Sequence, residues 1–142
     1  WLYDSRWAML AVVMMSLWAG FGTNMMIFLS GLKGVSQSLY EAARVEGANR
    51  WQIFTHITWP SISKTTFLVT TMLIISSFQV FDQAFILTRG GPGNATITLV
   101  YYIYNNGFNN LNMGYASSIS MVLFLIILVF SVLNTRLNNA DI

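Results

Sequence analysis

The sequence predicts an all-α membrane protein with three transmembrane helices and a helical loop between the first two. Two observations carry this. Charged residues make up 8% of the 142-residue chain, against 55% hydrophobic and 15% aromatic, whereas an ordinary globular protein is about 25% charged. The uncharged residues are also gathered into three long stretches. With Lys or Arg at 7 positions and Asp or Glu at 5, no water-facing surface can be built around a chain this size. The net charge of +2 is too small and too dispersed for a nucleic-acid footprint. Zero cysteines exclude disulfides, thiolate metal sites and cysteine nucleophiles, and the single histidine, His56, cannot form a histidine cluster.

The chain opens on Trp1 without an initiator methionine and reads as a fragment of a longer protein. No basic segment, short apolar run and small-residue cleavage site begin it, so the first apolar stretch is not a signal peptide.

The first span, about residues 7–29, runs without a charge from Trp7 to Leu29, long enough for a hydrocarbon core of roughly 30 Å. The second is uncharged between Lys64 and Asp82 and extends to about residues 62–86. Its helix can begin as early as Pro60, because proline suits a first helical turn. The third centres on the run Ile119 to Leu133, extended by Tyr115-Ala-Ser-Ser to about residues 115–134. Periodicity does not decide stretches this uniformly apolar; length and lack of charge do. The connectors are residues 33–61 and 88–114. The first segment carries Lys33, Arg44, Arg50 and Lys64, the second only Arg89. The positive-inside rule therefore puts the first loop in the cytoplasm, the N-terminus outside and the Arg136 tail inside.

Within the cytoplasmic loop, Ser38 and Glu41 have the spacing of a capping box, serine and glutamate each satisfying a free N–H at a helix start. Gly47 stands where a two-turn helix would end in a left-handed cap. Leu39, Ala42, Ala43 and Glu46 share one face, shallow enough at its alanines for another backbone to approach. Asn49 can then cap a second short helix anchored by Trp51, Phe54 and Ile57 and stopped before Pro60. Two readings of this helix–turn–helix stand side by side: a docking element, or an amphipathic hairpin lying on lipid headgroups.

Glu41-Ala42-Ala43, three residues, Gly47, nine residues, Ile57, one residue, Trp59-Pro60 resembles the EAA loop of ABC importer permeases, EAA-x3-G-x9-I-x-L-P. The one departure is Trp59 for the usual leucine. Downstream, Leu87-Thr88-Arg89-Gly90-Gly91-Pro92 is similar to the L-T-x-G-G-P stretch of carbohydrate, maltodextrin-type permeases, as are the T-L-V-Y-Y-I-Y and G-Y-A-S-S-I-S segments after it. The resemblance runs from the first span to Leu133. It implies the C-terminal portion of a permease subunit in a bacterial inner membrane, three helices of the six-helix core of a type I importer. The EAA helix would be the coupling helix that docks on a separate ATP-binding cassette ATPase through Glu41, Ala42, Ala43 and Gly47. The implied partners are those ATPase subunits, a second permease, membrane lipid, and an extracellular or periplasmic binding protein that meets the asparagine-rich outer loop and delivers sugar; no nucleic acid is implied.

The chain has no G-x-x-x-x-G-K-[ST] phosphate loop and no nucleophile constellation, so it is not expected to be an enzyme or to hold a cofactor. ATP would be hydrolysed by the partner. Small and polar residues inside spans tend to face protein or water. Ser16, Gly20 and Thr23 share a face of span one, and span two offers Ser76, Ser77 and Gln83 with Leu73 and Val80. On an alignment with maltodextrin-type permeases, the pathway positions are Ser16, Gly20, Leu73, Ser76, Ser77 and Val80. Helix–helix packing is the competing role for the same small residues. Phe78, Phe81 and Phe85 lie on the other side of span two, as lipid or packing contacts. Asp82 falls at the outer boundary, where a charge is cheap. Asn94-Ala95-Thr96 is a chance match to a glycosylation acceptor.

Two alternatives remain open. An EAA-bearing permease for glycerol phosphate or amino acids would need a cationic residue in its pathway for anionic cargo, which the missing spans could supply. An ion-coupled secondary transporter would need charges at mid-membrane depth, and the three spans have none.

Overall fold

The computed structural model describes residues 2–140, with side chains through Arg136; Trp1, Asp141 and Ile142 lie outside the described residues. The described residues form helices and turns only. They are α1 (Ser5–Lys33), α2 (Gln37–Val45), α3 (Arg50–Ile53), α4 (Trp59–Ser61), α5 (Ser63–Phe78), α6 (Asp82–Leu87), α7 (Leu99–Tyr104) and α8 (Met113–Ala140). Wide π-helical turns at Phe54–Thr58 and Asn105–Asn109 link α3 to α4 and follow α7. Three helical stretches are long and apolar enough to cross a membrane: Ser5–Lys33, Ser63–Leu87 and Met113–Arg136.

The chain divides into two compact units, Phe21–Thr70, and Trp1–Gly20 with Thr71–Ile142. In the Phe21–Thr70 unit, α1 and α5 approach so closely that a Cβ on Gly31 would lie 2.5 Å from Thr65 Oγ1. Ala43, Ile62 and Val69 are buried there. Tyr40 Oη lies 3.2 Å from Thr58 Oγ1, tying α2 to the π-helical turn.

The helix that starts at Asn49 does not stop before Pro60, as the sequence predicts; it runs on through Ser61. Proline has no N–H and its ring crowds the carbonyl four residues back. The turn before it is widened instead, with the Trp59 N–H bonded to the Phe54 carbonyl five residues back. A π turn of this kind lets the chain pass the proline without breaking. Ile62 (φ −94°, ψ 7°) is then the joint to α5.

In the other unit an aromatic cluster packs α6 against α7. The rings of Phe81 and Phe85 are 5.2 Å apart, Phe81 and Tyr104 5.2 Å, Phe85 and Tyr104 5.5 Å, and Tyr104 and Phe108 5.3 Å. Phe78 packs on Phe130 of α8 at 5.3 Å. Phe78, Phe81 and Phe85 all make packing contacts within the chain, and Phe85 also keeps an exposed face. The expected continuous second span is interrupted at residues 79–81, between α5 and α6. Ser76 and Ser77 donate their hydroxyls back to the Met72 and Leu73 carbonyls. The Gln79 N–H then turns to the Ser76 carbonyl at 3.1 Å, a tighter bond than the helical ladder makes.

Candidate functional site

α2 is nine residues long and begins at Gln37 with Ser36 in the N-cap position. The expected capping box of Ser38 and Glu41 does not form. With the helix starting at Gln37, Ser38 already lies inside the first turn and Glu41 in the second, out of reach of the free N–H groups. Ser38 Oγ instead meets Ser36 Oγ at 2.7 Å, and Glu41 Oε1 accepts from Gln37 Nε2 at 3.0 Å. The capping box in this loop is one helix later. Asn49 Oδ1 accepts from the Gln52 N–H at 2.9 Å, and Gln52 Oε1 accepts from the Asn49 N–H at 2.8 Å. Asn49 was legible as a cap; its partner was not singled out.

The end of α2 follows the expected left-handed turn. Gly47 has φ +79°. The Gly47 N–H bonds to the Arg44 carbonyl at 3.1 Å and the Ala48 N–H to the Ala43 carbonyl at 3.0 Å, the bond pair of a Schellman motif. Glu41, Ala42 and Gly47 are exposed, as are Leu39 and Glu46. Ala43 is different: it is 8% exposed and turned into its own unit. The face shared by Leu39, Ala42, Ala43 and Glu46 is therefore open only in part, and Ala43 is a packing residue here. Trp51, at 72% exposure, stacks toward Phe54 at 5.9 Å, and Phe54 lies 6.3 Å from Trp59. His56 is exposed, its Nδ1 3.1 Å from the Gln52 carbonyl.

The six pathway positions fall into two environments. Ser16 is half-buried and donates to the Val12 carbonyl at 2.8 Å. Ser16 and Gly20 continue the line of Ala8 and Val12, both buried, so they lie on the packed side of α1. Leu73, Ser76 and Ser77, in the last two turns of α5, are exposed, and Val80, within the interruption that follows, is half-buried. Thr23 lines an open groove of about 590 Å³ with Met26, Ser30, Lys64, Thr65 and Leu68.

Past the interruption, the Gly90-Gly91-Pro92 stretch is a tightly bonded turn. Gly90 has φ +83°, and a Cβ on it would sit 2.8 Å from Tyr101 Cε1, so both conformation and space require glycine. Tyr101 Oη donates to the Arg89 carbonyl at 2.7 Å. Thr96 is fully buried and donates to the Gly91 carbonyl at 2.9 Å; its Oγ1 is 2.6 Å from Thr88 Oγ1. Thr88 Oγ1 also lies 2.9 Å from the Ala84 carbonyl, so the two hydroxyls share their protons among two carbonyls and each other. Finally, Thr98 Oγ1 donates to the Val80 carbonyl at 2.6 Å while accepting from the Tyr101 N–H at 3.3 Å. That clasp escaped the sequence reading; the only signal was a threonine immediately before an apolar helix.

Comparison with known proteins identifies the family and the fold. A family model described as a binding-protein-dependent transport system inner membrane component matches residues 1–140. The arabinooligosaccharides transport system permease protein of Bacillus subtilis is 37% identical over 99% of this chain and 45% of its own length. A multiple sugar-binding transport system permease protein of Streptococcus mutans is 36% identical over 92% and 45%. The sn-glycerol-3-phosphate transport system permease protein of Agrobacterium fabrum is 37% identical over 95% and 46%. The chain thus spans about half the length of the curated relatives it matches. A bacterial ABC transporter involved in importing the acidic polysaccharide alginate superposes with a TM-score of 0.85 at 22% identity, over 98% of this chain and 49% of that one; this likeness concerns the fold. With the family model matched over almost every residue, the chain belongs to the binding-protein-dependent transport system inner membrane components.

Proposed function

We propose that the chain is the C-terminal portion of a permease subunit in an ATP-driven, binding-protein-dependent importer of a sugar or oligosaccharide. The observation that carries this reading is the exposed α2–Gly47–α3 elbow between two apolar helices, with EAA spacing and a Schellman turn. Glu41, Ala42 and Gly47 dock on an ATP-binding cassette subunit, Glu41 offering its carboxylate to a basic group there. Ala43 fixes α2 to the rest of its loop, so that ATPase closure pushes a stiff element and not a loose one.

The subunit itself performs no chemistry and holds no cofactor; ATP is bound and hydrolysed by the partner. It sits in a bacterial inner membrane with the EAA loop in the cytoplasm, in keeping with Lys33, Arg44, Arg50 and Lys64 on that side. A second permease completes the pathway. A binding protein meets the 88–114 side; the solved alginate transporter was captured in complex with an alginate pentasaccharide-bound periplasmic protein. Leu73, Ser76, Ser77 and Val80 supply a neutral surface suited to an uncharged polyol. Ser16 and Gly20 serve it through helix packing.

The glycerol-phosphate relative favours one second reading, an importer of an anionic solute. The neutral end of α5 argues for sugar.

The test uses the full-length assembly with single cysteines. Cysteine at Ala42 should crosslink to cysteines in the cleft of the co-encoded ATPase, with a yield that changes with ATP. An intact assembly without a crosslink across a panel of cleft positions would sink the docking role. Uptake of arabinotriose and lactose against sn-glycerol 3-phosphate separates the two cargo readings.

A further inference from the structure

We propose that Thr98 is a positioning residue of the cargo pathway. Its hydroxyl fixes the interruption in the second apolar helix and so sets where Ser76, Ser77 and Val80 stand. The inference rests on the pathway reading above and adds to it a residue outside the membrane helices.

α5 is 16 residues long, about 24 Å at roughly 1.5 Å per residue. Counted from Ser63 at one boundary, its end falls inside a hydrocarbon core of roughly 30 Å. Interrupted backbone at that depth is tolerated only where protein or water satisfies its polar groups. For Val80 the partner is Thr98, 18 residues on, at 2.6 Å. One hydroxyl fills two roles, since its proton goes to the Val80 carbonyl and its lone pairs accept the Tyr101 N–H that caps α7. Tyr101 in turn holds the Arg89 carbonyl. Thr98 and Tyr101 therefore bracket the Gly90-Gly91-Pro92 turn, one at the interruption and one at the far end of α6. The Phe81 ring, packed on Phe85 and Tyr104, anchors the interruption at residues 79–81 by packing. Packing alone does not fix a backbone carbonyl's direction. The threonine hydroxyl does, and valine, its isostere, would not.

The experiment uses the full-length permease in its assembly, with any cysteines beyond these residues replaced. Ser77→Cys is labelled with a methanethiosulfonate reagent in three backgrounds: Thr98, Thr98→Val and Thr98→Ser. Loss of a hydrogen bond worth about 1 kcal/mol should change the labelling rate on the order of fivefold in Thr98→Val. Thr98→Ser should restore it, and Phe108→Cys on the same connector should label alike in all three. Equal rates in Thr98 and Thr98→Val, or a change in Thr98→Ser as large as in Thr98→Val, would overturn the assignment. Should Thr98→Val not assemble, Thr98→Ala reads the same quantity, and an unchanged rate there is equally fatal. The readout needs no cargo, so failure of the sugar reading would show in the uptake assay and not here.

Discussion

Asn134 of α8 donates its side-chain amide to Thr71 Oγ1 of α5 across 2.9 Å, joining two apolar helices 63 residues apart in sequence. Both side chains are half-buried. In a bilayer the alternative to such a bond is an unsatisfied amide in hydrocarbon, although measured values are modest because the separated helices also find partners. Each of Asn134→Leu and Thr71→Val should destabilise the full-length protein by about 0.6–2 kcal/mol. The double variant should cost clearly less than the sum, as a double-mutant cycle on detergent-solubilised protein would read. Additive losses would show that the two groups do not act as a pair.

The Gly90-Gly91-Pro92 turn is predicted to be the least tolerant part of the chain. Gly90→Ala combines a left-handed φ, about 1–2 kcal/mol for a residue with a Cβ, with an approach of 2.8 Å to Tyr101 Cε1. Thr96→Val leaves the Gly91 carbonyl without its donor and should cost about 1–3 kcal/mol, while Thr96→Ser should stay near wild type. Yield of monodisperse protein and its thermal midpoint report both. A Gly90→Ala protein as stable as wild type would contradict the close packing of Tyr101.

Neighbouring alanines in the EAA helix should behave oppositely. Ala42 is exposed and Ala43 buried, so cysteine at Ala42 should react quickly with maleimide and cysteine at Ala43 slowly. Ala43→Leu overpacks a filled site and should cost about 1–3 kcal/mol in stability. Ala42→Leu should leave stability unchanged and impair binding-protein-stimulated ATP hydrolysis. If Ala42→Leu destabilises the isolated permease instead, the exposed-face assignment fails.

Gly47→Ala tests the turn alone, because a Cβ there meets nothing within 4 Å. Its cost should be the left-handed φ by itself, about 1–2 kcal/mol. Gly47→Asn should be milder, since asparagine also serves at this helix-cap position. Equal losses for the two would point to a role beyond backbone conformation.

How much of this was legible in the chain beforehand divides along physical lines. Three membrane helices follow from uncharged length, because no loop can bury so many apolar residues. The Gly47 turn and the Asn49 cap follow from local chemistry, where residue type and backbone conformation are coupled directly. The family resemblance rested on spacing, which survives sequence divergence because each position serves one geometric need. Contacts between distant residues were beyond reach. That Ala43 faces inward while Ala42 faces out depends on how α2 lies against its own unit, and α-helical spacing places both on one side. Where the second span breaks, the freed Val80 carbonyl is met by the hydroxyl of Thr98, 18 positions away, a pairing no local pattern announces. Composition and local pattern therefore determined that these segments are helices, and where two of them begin or end. Only the tertiary structure decided which side chains remain open, because that depends on contacts between residues far apart in sequence.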